Sequence, residues 1–306
     1  MIYFMLQRLG RLVLTVFIVA TVVFVIVRVV PGDPALVIAG VDARPQDIAA
    51  IRAKLGTDRP MLQQYGTWMW GLLHLDLGHS FTTGESVSRL ILARFPLTFT
   101  LALAGFVLSM LIAVPFGVIS AVRRWQAIDY TVMAYTQIGL AVPSFWLGII
   151  LLLLFSVRIH LFPLFGLGGI SSLVLPSVAL GIERSALLIR IVRGSMIEEL
   201  SRDYVITALA KGLPRRVIII RHALRNALLP VITIAGIQFG YLLGGAIIIE
   251  QVFSLPGLGR LFLTAISNRD FPLVQGGVIF VAAVFSVVSF LADILYSLVN
   301  PRVRVS

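Results

Sequence analysis

Long apolar runs, broken by short charged segments, set the rhythm of the chain. Crossing the hydrocarbon core of a bilayer takes about 20 mostly apolar residues. Six stretches reach that length, near 9–30, 97–122, 130–157, 173–193, 228–250 and 273–299. Each predicts a transmembrane helix, giving an all-α membrane protein of six spans. Pro115, Pro143 and Pro176 fall within the second, third and fourth. A proline frees a carbonyl that, away from water, only neighbouring groups satisfy. These spans are therefore expected to pack against other helices. In the first stretch, Arg8 and Arg11 precede an apolar run from Leu12 onward. That run exceeds the roughly 7–15 residues of a signal-peptide core, and no small-x-small site follows directly. It reads as an uncleaved span.

Helical periodicity continues between the first two spans. In "PMLQQYGTWMWGLLHL", Pro60 suits a helix start, and Met61, Leu62, Tyr65, Trp68, Met69, Leu72 and Leu73 recur at helical spacing. Trp68 and Trp70 suit a membrane–water interface. The segment "RPQDIAAIRAKLG" predicts another short helix, ended by Gly56. Residues 31–96 thus read as a folded loop with short helices, in a chain forming one transmembrane domain over 1–306.

Composition agrees with a membrane protein. The chain is 58% hydrophobic and 13% charged, against roughly 45–50% and about 25% in soluble domains. The net charge of +11 is read as topology rather than nucleic-acid binding. Arg8, Arg11, Arg123, Arg124, the Arg190–Arg225 region, Arg302 and Arg304 all fall on one side of the six spans. The positive-inside rule makes that side cytoplasmic, with both termini on it and the 31–96 loop outside. No cysteine is present, so disulfides, thiolate metal sites and a cysteine nucleophile are excluded. A Gly-x-x-x-x-Gly-Lys-Ser/Thr phosphate loop and a His-Glu-x-x-His helix are both missing from the sequence. His74 and His79, near Asp76, lack an evident third ligand and read as interfacial or loop-capping residues. No metal or cofactor is expected on this chain.

The cytoplasmic stretch "SRDYVITALAKGLPRRVIIIRHALRNALLP", Ser201 to Pro230, lies within a loop spanning 194–227. Asp203 to Lys211 predicts a helix with an acidic start. Gly212 suits the left-handed residue that ends a helix, and Pro214 suits the first turn of a second helix running toward Asn226. In that helix Val217, Ile218, Leu224 and Leu228 face apolar surface, while Arg215, Arg216, Arg221 and Arg225 reach water or acidic partners. One reading is a basic amphipathic loop resting on anionic lipid. The other is a stiff element that fits a socket on a partner.

"DYVITALAKGL" followed by "RHALRNALLPVIT" resembles the cytoplasmic signature of bacterial ABC-importer permeases, and more narrowly the first permease of the dipeptide/oligopeptide/nickel importer family. The resemblance runs along the chain through "VVPGDP", "LDLGHS", "RFPLTFTLAL", "VPSFWLG", "LPSVALG", "GGAIIIEQVFSLPGLGRL", "RDFPLVQGG" and "DILYSLVNPRVR". It departs from the general signature at Ile206-Thr207-Ala208, where that signature has Glu-Ala-Ala, so only Ala208 and Gly212 carry over. The interval from Gly212 to Pro230 is also longer than in the general pattern.

What the resemblance implies is a type I ABC-importer permease bundle in a bacterial inner membrane, with a folded extracytoplasmic loop after the first span. The chain would be a non-catalytic subunit for small peptides, with glutathione or nickel chelates as alternative cargo. Its implied partners are a second, homologous permease in a heterodimer, two ATPase subunits using ATP and Mg, and an extracytoplasmic substrate-binding protein. The residues implied to couple to the ATPases are Asp203, Tyr204, Ala208, Lys211, Gly212, Leu213, Pro214, Arg221 and His222.

Ionisable residues inside spans carry functional hypotheses of their own. Glu183 and Arg184, adjacent on the fourth span, are expected to point about 100° apart, toward either a polar pathway or an inter-subunit salt bridge. Gln238 joins them as a pathway or interhelical hydrogen-bonding group. Glu250 and Arg28 lie near outer span ends, where long side chains snorkel. Glu250 and Arg260 are candidates for extracytoplasmic docking or gating. Two other classes compete. An ion-coupled secondary transporter would show paired broken helices and repeats. An intramembrane enzyme would need paired catalytic groups, which Glu183 alone does not supply.

Overall fold

The computed structural model describes residues 2–29, 32–40, 43–164, 166 and 169–299. Helices account for nearly all of them. In chain order they are α1 (Ile2–Val29), α2 (Pro34–Ala39), α3 (Pro45–Leu55), α4 (Met61–Leu73), α5 (Val87–Val122), α6 (Ala127–Ala141) and α7 (Ser144–Leu151). There follow α8 (Ser171–Leu200), α9 (Asp203–Ala210), α10 (Arg215–Val217), α11 (Leu224–Val252), α12 (Leu258–Ser267) and α13 (Phe271–Val299). Wider π-helical turns extend α7 over Leu152–Arg158 and join α10 to α11 over Ile218–Ala223.

Among the described residues five helices are long and apolar enough to cross a membrane, and α6 and the α7 segment reach that length only as a pair, bent by 99°. The third span was expected to be continuous, and this is a correction. Pro143 disfavours helical geometry at the residue before it, and Val142 sits at φ −94° and ψ 116°. Pro176 and Pro230, by contrast, are accommodated inside α8 and α11.

The chain folds as two compact units. The first combines residues up to Leu97 with Pro256–Ser286. Here Ala20, Val23 and Val27 of α1 and Ile279 of α13 are buried together, with Trp68, Met69 and Leu72 of α4 packed on them. Tyr65 and Trp68 place their rings 5.1 and 5.4 Å from that of Phe24. Met61, Leu62 and Leu73 do not share this face: Leu62 is 86% exposed. Spacing alone made the apolar stripe of α4 too wide. Asp33 caps α2, accepting from the Ala35 amide at 2.9 Å, and Gly56 ends α3 in the left-handed conformation. Asp270, 1% exposed, accepts from the Ser80 hydroxyl and from the amides of Phe81 (3.1 Å) and Thr82 (3.3 Å). It thereby pins the 78–84 loop to the start of α13.

The second unit combines Thr98–Leu255 with the chain from Val287. Its centre is α8, which buries Leu188 and Ile189 against Ala113 and Val132, and Val192 and Met196 against Ala121, Ala227 and Val231. Small residues permit this closeness: a Cβ on Gly139 of α6 would lie 2.8 Å from that of Ala186 on α8. Beside this core, Asp129, 2% exposed, receives both arms of Arg193, with Nε–Oδ1 at 2.7 Å and Nη2–Oδ2 at 2.8 Å. Ser120 Oγ and the Trp125 amide donate to the same carboxylate. The pair ties α6 to α8, and its burial makes removal of one partner costly.

Replacing Asp129 with alanine strands the Arg193 guanidinium and should destabilise the chain by about 3–5 kcal/mol. Thermal unfolding in detergent measures this. A double Asp129→Leu, Arg193→Met variant should recover most of the lost stability, because no buried charge then lacks a partner.

Candidate functional site

The polar segment after α8 is built by local hydrogen bonding that its sequence dictates. Glu198 and Glu199 close the helix, and Arg202 bridges both, with 2.9 Å to Glu198 Oε1 and 2.9 Å to Glu199 Oε1. Asp203 then opens α9, where an acid favours the helix N-terminus. Tyr204 donates its hydroxyl to Glu199 Oε2 at 2.7 Å and accepts from Asn226 Nδ2 at 3.3 Å. One phenol therefore links the end of α8, α9 and the start of α11. Burial first, and then the bond to Glu199, raises the Tyr204 pKa above its ordinary value.

At its far end α9 stops in a Schellman motif. The Leu213 amide donates to the Ala208 carbonyl at 3.2 Å and the Gly212 amide to that of Leu209 at 2.9 Å. Gly212 sits at φ +75°, with nothing within 4 Å of the position a Cβ would take. The demand at this position is thus on backbone conformation, not on space. Pro214 accepts from the Val217 and Ile218 amides and starts the next helix.

Two expectations need correction here. The second helix does not run separately to Asn226: Arg215–Val252 is one continuous, membrane-length helix that includes the fifth span. No glycine interrupts it before Gly236, and Pro230 fits within it. Ala208 is not an outward contact. It is buried with Val205 and Ile218 beneath Tyr204, forming the small core of the turn. What the turn presents outward is Ile206 (61% exposed), Leu209 (53% exposed) and Leu213, with Asp203, Lys211, Pro214, Arg215 and Arg216 also exposed around them. Arg221 and His222 lie on the π-helical turns, the first exposed and the second half-buried.

Deeper in the same unit, Arg184 gathers the polar groups of α8 and α11. Its Nη1 donates to Gln238 Oε1 at 3.3 Å, and its Nη2 lies 3.5 Å from Glu183 Oε1. The adjacent acid and base were expected to point apart. The arginine is long enough to fold back along the helix, so they form a loose pair. Its Nε is buried without an acceptor. Glu250 is also corrected: it does not snorkel but is fully buried, accepting from Thr98 Oγ1. Arg260, in the first unit, is exposed on α12, a helix that the glycines and proline of residues 244–261 concealed. Among the described residues, no three His, Asp or Glu side chains are grouped to hold a metal ion. His74 Nδ1 lies 2.8 Å from the Trp70 carbonyl oxygen, and Asp76 accepts from the Gly78 amide.

Membrane-length helices with a stiff, exposed turn between two of them define a multi-pass membrane protein. The chain matches the family model described as "Binding-protein-dependent transport system inner membrane component" over residues 113–305. Residues 1–102 match the companion model "Binding-prot-dependent transport system membrane comp, N-term". The chain belongs to this family and is an inner-membrane permease of the ABC-importer type.

Curated relatives match end to end. A peptide transport system permease protein of Brucella abortus (strain 2308) is 41% identical, covering 98% of each chain. The dipeptide transport system permease protein DppB of Escherichia coli (strain K12) is 38% identical, covering 99% of each. The di/tripeptide transport system permease protein DppB of Pseudomonas aeruginosa (strain UCBPP-PA14) is 40% identical over the same share. The fold is shared with the methionine ABC transporter MetNI in an inward-facing conformation, at a TM-score of 0.59 and 19% identity, covering 69% of this chain and 96% of that one.

Tyr204→Phe should cost the turn about 1 kcal/mol, read as faster amide exchange across α9. The wild-type bond has an alkaline limit. Because the folded pKa is raised, its contribution is complete below the ordinary tyrosine pKa of about 10 and is lost as pH rises through the folded value. The phenylalanine variant should lack that alkaline loss.

Proposed function

We propose that this chain is the non-catalytic permease subunit of an ATP-driven importer of short peptides. The observation that carries the reading is full-length identity of 38–41% to proteins named as peptide, dipeptide and di/tripeptide permeases. The exposed Gly212 turn supports it mechanically. Motion imposed on Ile206, Leu209 and Leu213 is delivered to α8 through Arg202 and Tyr204, and to the fifth span through unbroken helix from Arg215. An element that transmits force between subunits has to be stiff in this way, and its partner has to bind the two bundle conformations with different affinity.

On this reading Asp203, Lys211, Pro214 and the apolar ridge meet one of two ATPase subunits, which bind ATP and Mg. Tyr204, Ala208 and Gly212 shape the turn from within. Arg221 and His222 border it. A second, homologous permease completes the pathway, and an extracytoplasmic binding protein delivers the peptide. Clustering of arginines at the ends of alternate spans supports a cytoplasmic position for the Gly212 turn and both termini. Arg184, with its unpaired Nε, and Glu183 and Gln238 beside it form a polar group at membrane depth, suited to the pathway or to the permease–permease contact. Glu250 steadies the fifth span from within, and Arg260 is the residue of the pair available for docking.

The test is purification of the tagged chain from its native membrane, followed by reconstitution of whatever accompanies it. A second permease and ATPases in fixed proportion, with dialanine uptake that requires ATP, is the expected result. Uptake without ATP by this chain alone would overturn the proposal, and uptake of glutathione or nickel chelates but not peptides would reassign its cargo. Within the reconstituted complex, Gly212→Pro is incompatible with φ +75°. It should abolish uptake and substrate-stimulated ATP hydrolysis while membrane insertion persists.

A further inference from the structure

The first unit carries a half-open cavity of about 550 Å³. Its wall is formed by α3 and the turn after it, by α4, by the 78–84 loop, and by the last turn of α1 and the first of α13. That size falls within the range of about 300–1,000 Å³ usual for small-molecule sites. Arg28, Lys54 and Arg59 all line it, and among the described residues no carboxylate does.

The Arg28 charge is held by neutral partners. Arg28 Nε donates to Gln64 Oε1 at 3.0 Å, and its guanidinium lies 3.6 Å from the centre of the Phe24 ring. Gln64 in turn donates to the carbonyls of Arg59 (2.8 Å) and Thr57 (3.3 Å). Gln64 therefore orients Arg28 toward the cavity without neutralising it. The nearby acid Asp33 is engaged by Arg52, and both line an adjoining pocket on the other side of Arg28 and Gln64, not this cavity.

A second observation points the same way. Gln275 also lines the cavity and is only 2% exposed, yet its Nε2 has no hydrogen-bond partner. An unmet buried donor is costly, and turning the amide toward the cavity would let an acceptor there satisfy it. The remaining wall is apolar or aromatic, with Ile51, Leu55, Trp68 and Phe271.

We propose that this cavity binds an anionic oxygen group, a carboxylate or a phosphate, carried on a small and partly apolar molecule. Arg28 and Lys54 supply the charge, Gln275 donates to a second acceptor on the ligand, and the aromatic wall covers its apolar part. With no acid in the wall, an ammonium group on the same molecule has to face the opening. Two sources offer this chemistry: the carboxyl end of a short peptide, or the phosphate of an anionic phospholipid. The site does not depend on the transport reading above.

The test uses the full chain in phosphatidylcholine nanodiscs. Calorimetry with N-acetyl-dialanine should show binding, and its C-terminal amide should bind at least about tenfold more weakly. Arg28→Gln and Lys54→Gln should each weaken binding of the acid by about tenfold. Lys54 is exposed, so its variant reports even where loss of Arg28 impairs folding. Phosphatidylglycerol added to the nanodiscs separates the two sources. If it raises the unfolding temperature of the wild type but not of the variants, while the acid does not bind, the site is anion-binding and its ligand is lipid. The proposal is overturned if acid and amide bind alike, if both variants respond as the wild type does, or if neither anion has an effect.

Discussion

A polar group removed from water has to find its partner within the protein, and that constraint organises this chain. Its backbone answers by folding almost entirely into helices, which satisfy donors and acceptors internally. The buried carboxylates need partners from further away. Asp129 is met by Arg193, Ser120 and the Trp125 amide, Asp270 by the 80–82 segment, and Glu250 by Thr98. The contacts made by Arg193, by the 80–82 segment and by Thr98 join segments distant in sequence within one unit, so each fixes how a helix or loop is placed. The polar minority of this apolar chain supplies much of its specificity, because lipid gives apolar side chains little reason to prefer one neighbour over another.

Much of the architecture is written in local patterns. Five of the six apolar runs correspond to membrane-length helices, the ends of α3 and α9 fall at Gly56 and Gly212, and Pro60 and Pro214 precede helices. Such signals are legible because the required backbone geometry depends on one or two residues. Pro143 shows where the reading fails. Whether a proline bends a span or is absorbed into it depends on neighbours that sequence does not display, and Pro176, absorbed in α8, looks no different in sequence.

The buried ion pairs were equally hidden. Asp129 follows a short charged turn and resembles any residue at the start of a helix, while Arg193 sits among other arginines counted for topology. Nothing local links two residues 64 positions apart. Arg184 misled in a different way. Cα directions predicted divergence from Glu183, but a long flexible side chain reaches back beside its neighbour. Ala208 was open to two readings because its small size suits both a close external contact and an internal role, and the structure packs it with Val205 and Ile218.

Under the proposed function, the geometry of the Gly212 turn would let so short a segment serve for coupling. A flexible loop would absorb a push as changes in its own torsions. Here the turn has its own buried core, its carbonyls are closed by the Schellman motif, and one side continues without interruption into a helix that ends at Val252. At 1.5 Å of rise per residue, a helix of 38 residues extends roughly 57 Å, well beyond the hydrocarbon thickness of about 30 Å. If the turn is pushed by a partner, a stiff helix passes that push along its length instead of absorbing it. On the proposed reading the exposed apolar side chains meet the partner, whereas the φ of Gly212, the Tyr204 hydrogen bonds and helix continuity beyond Pro214 are what the transmission requires.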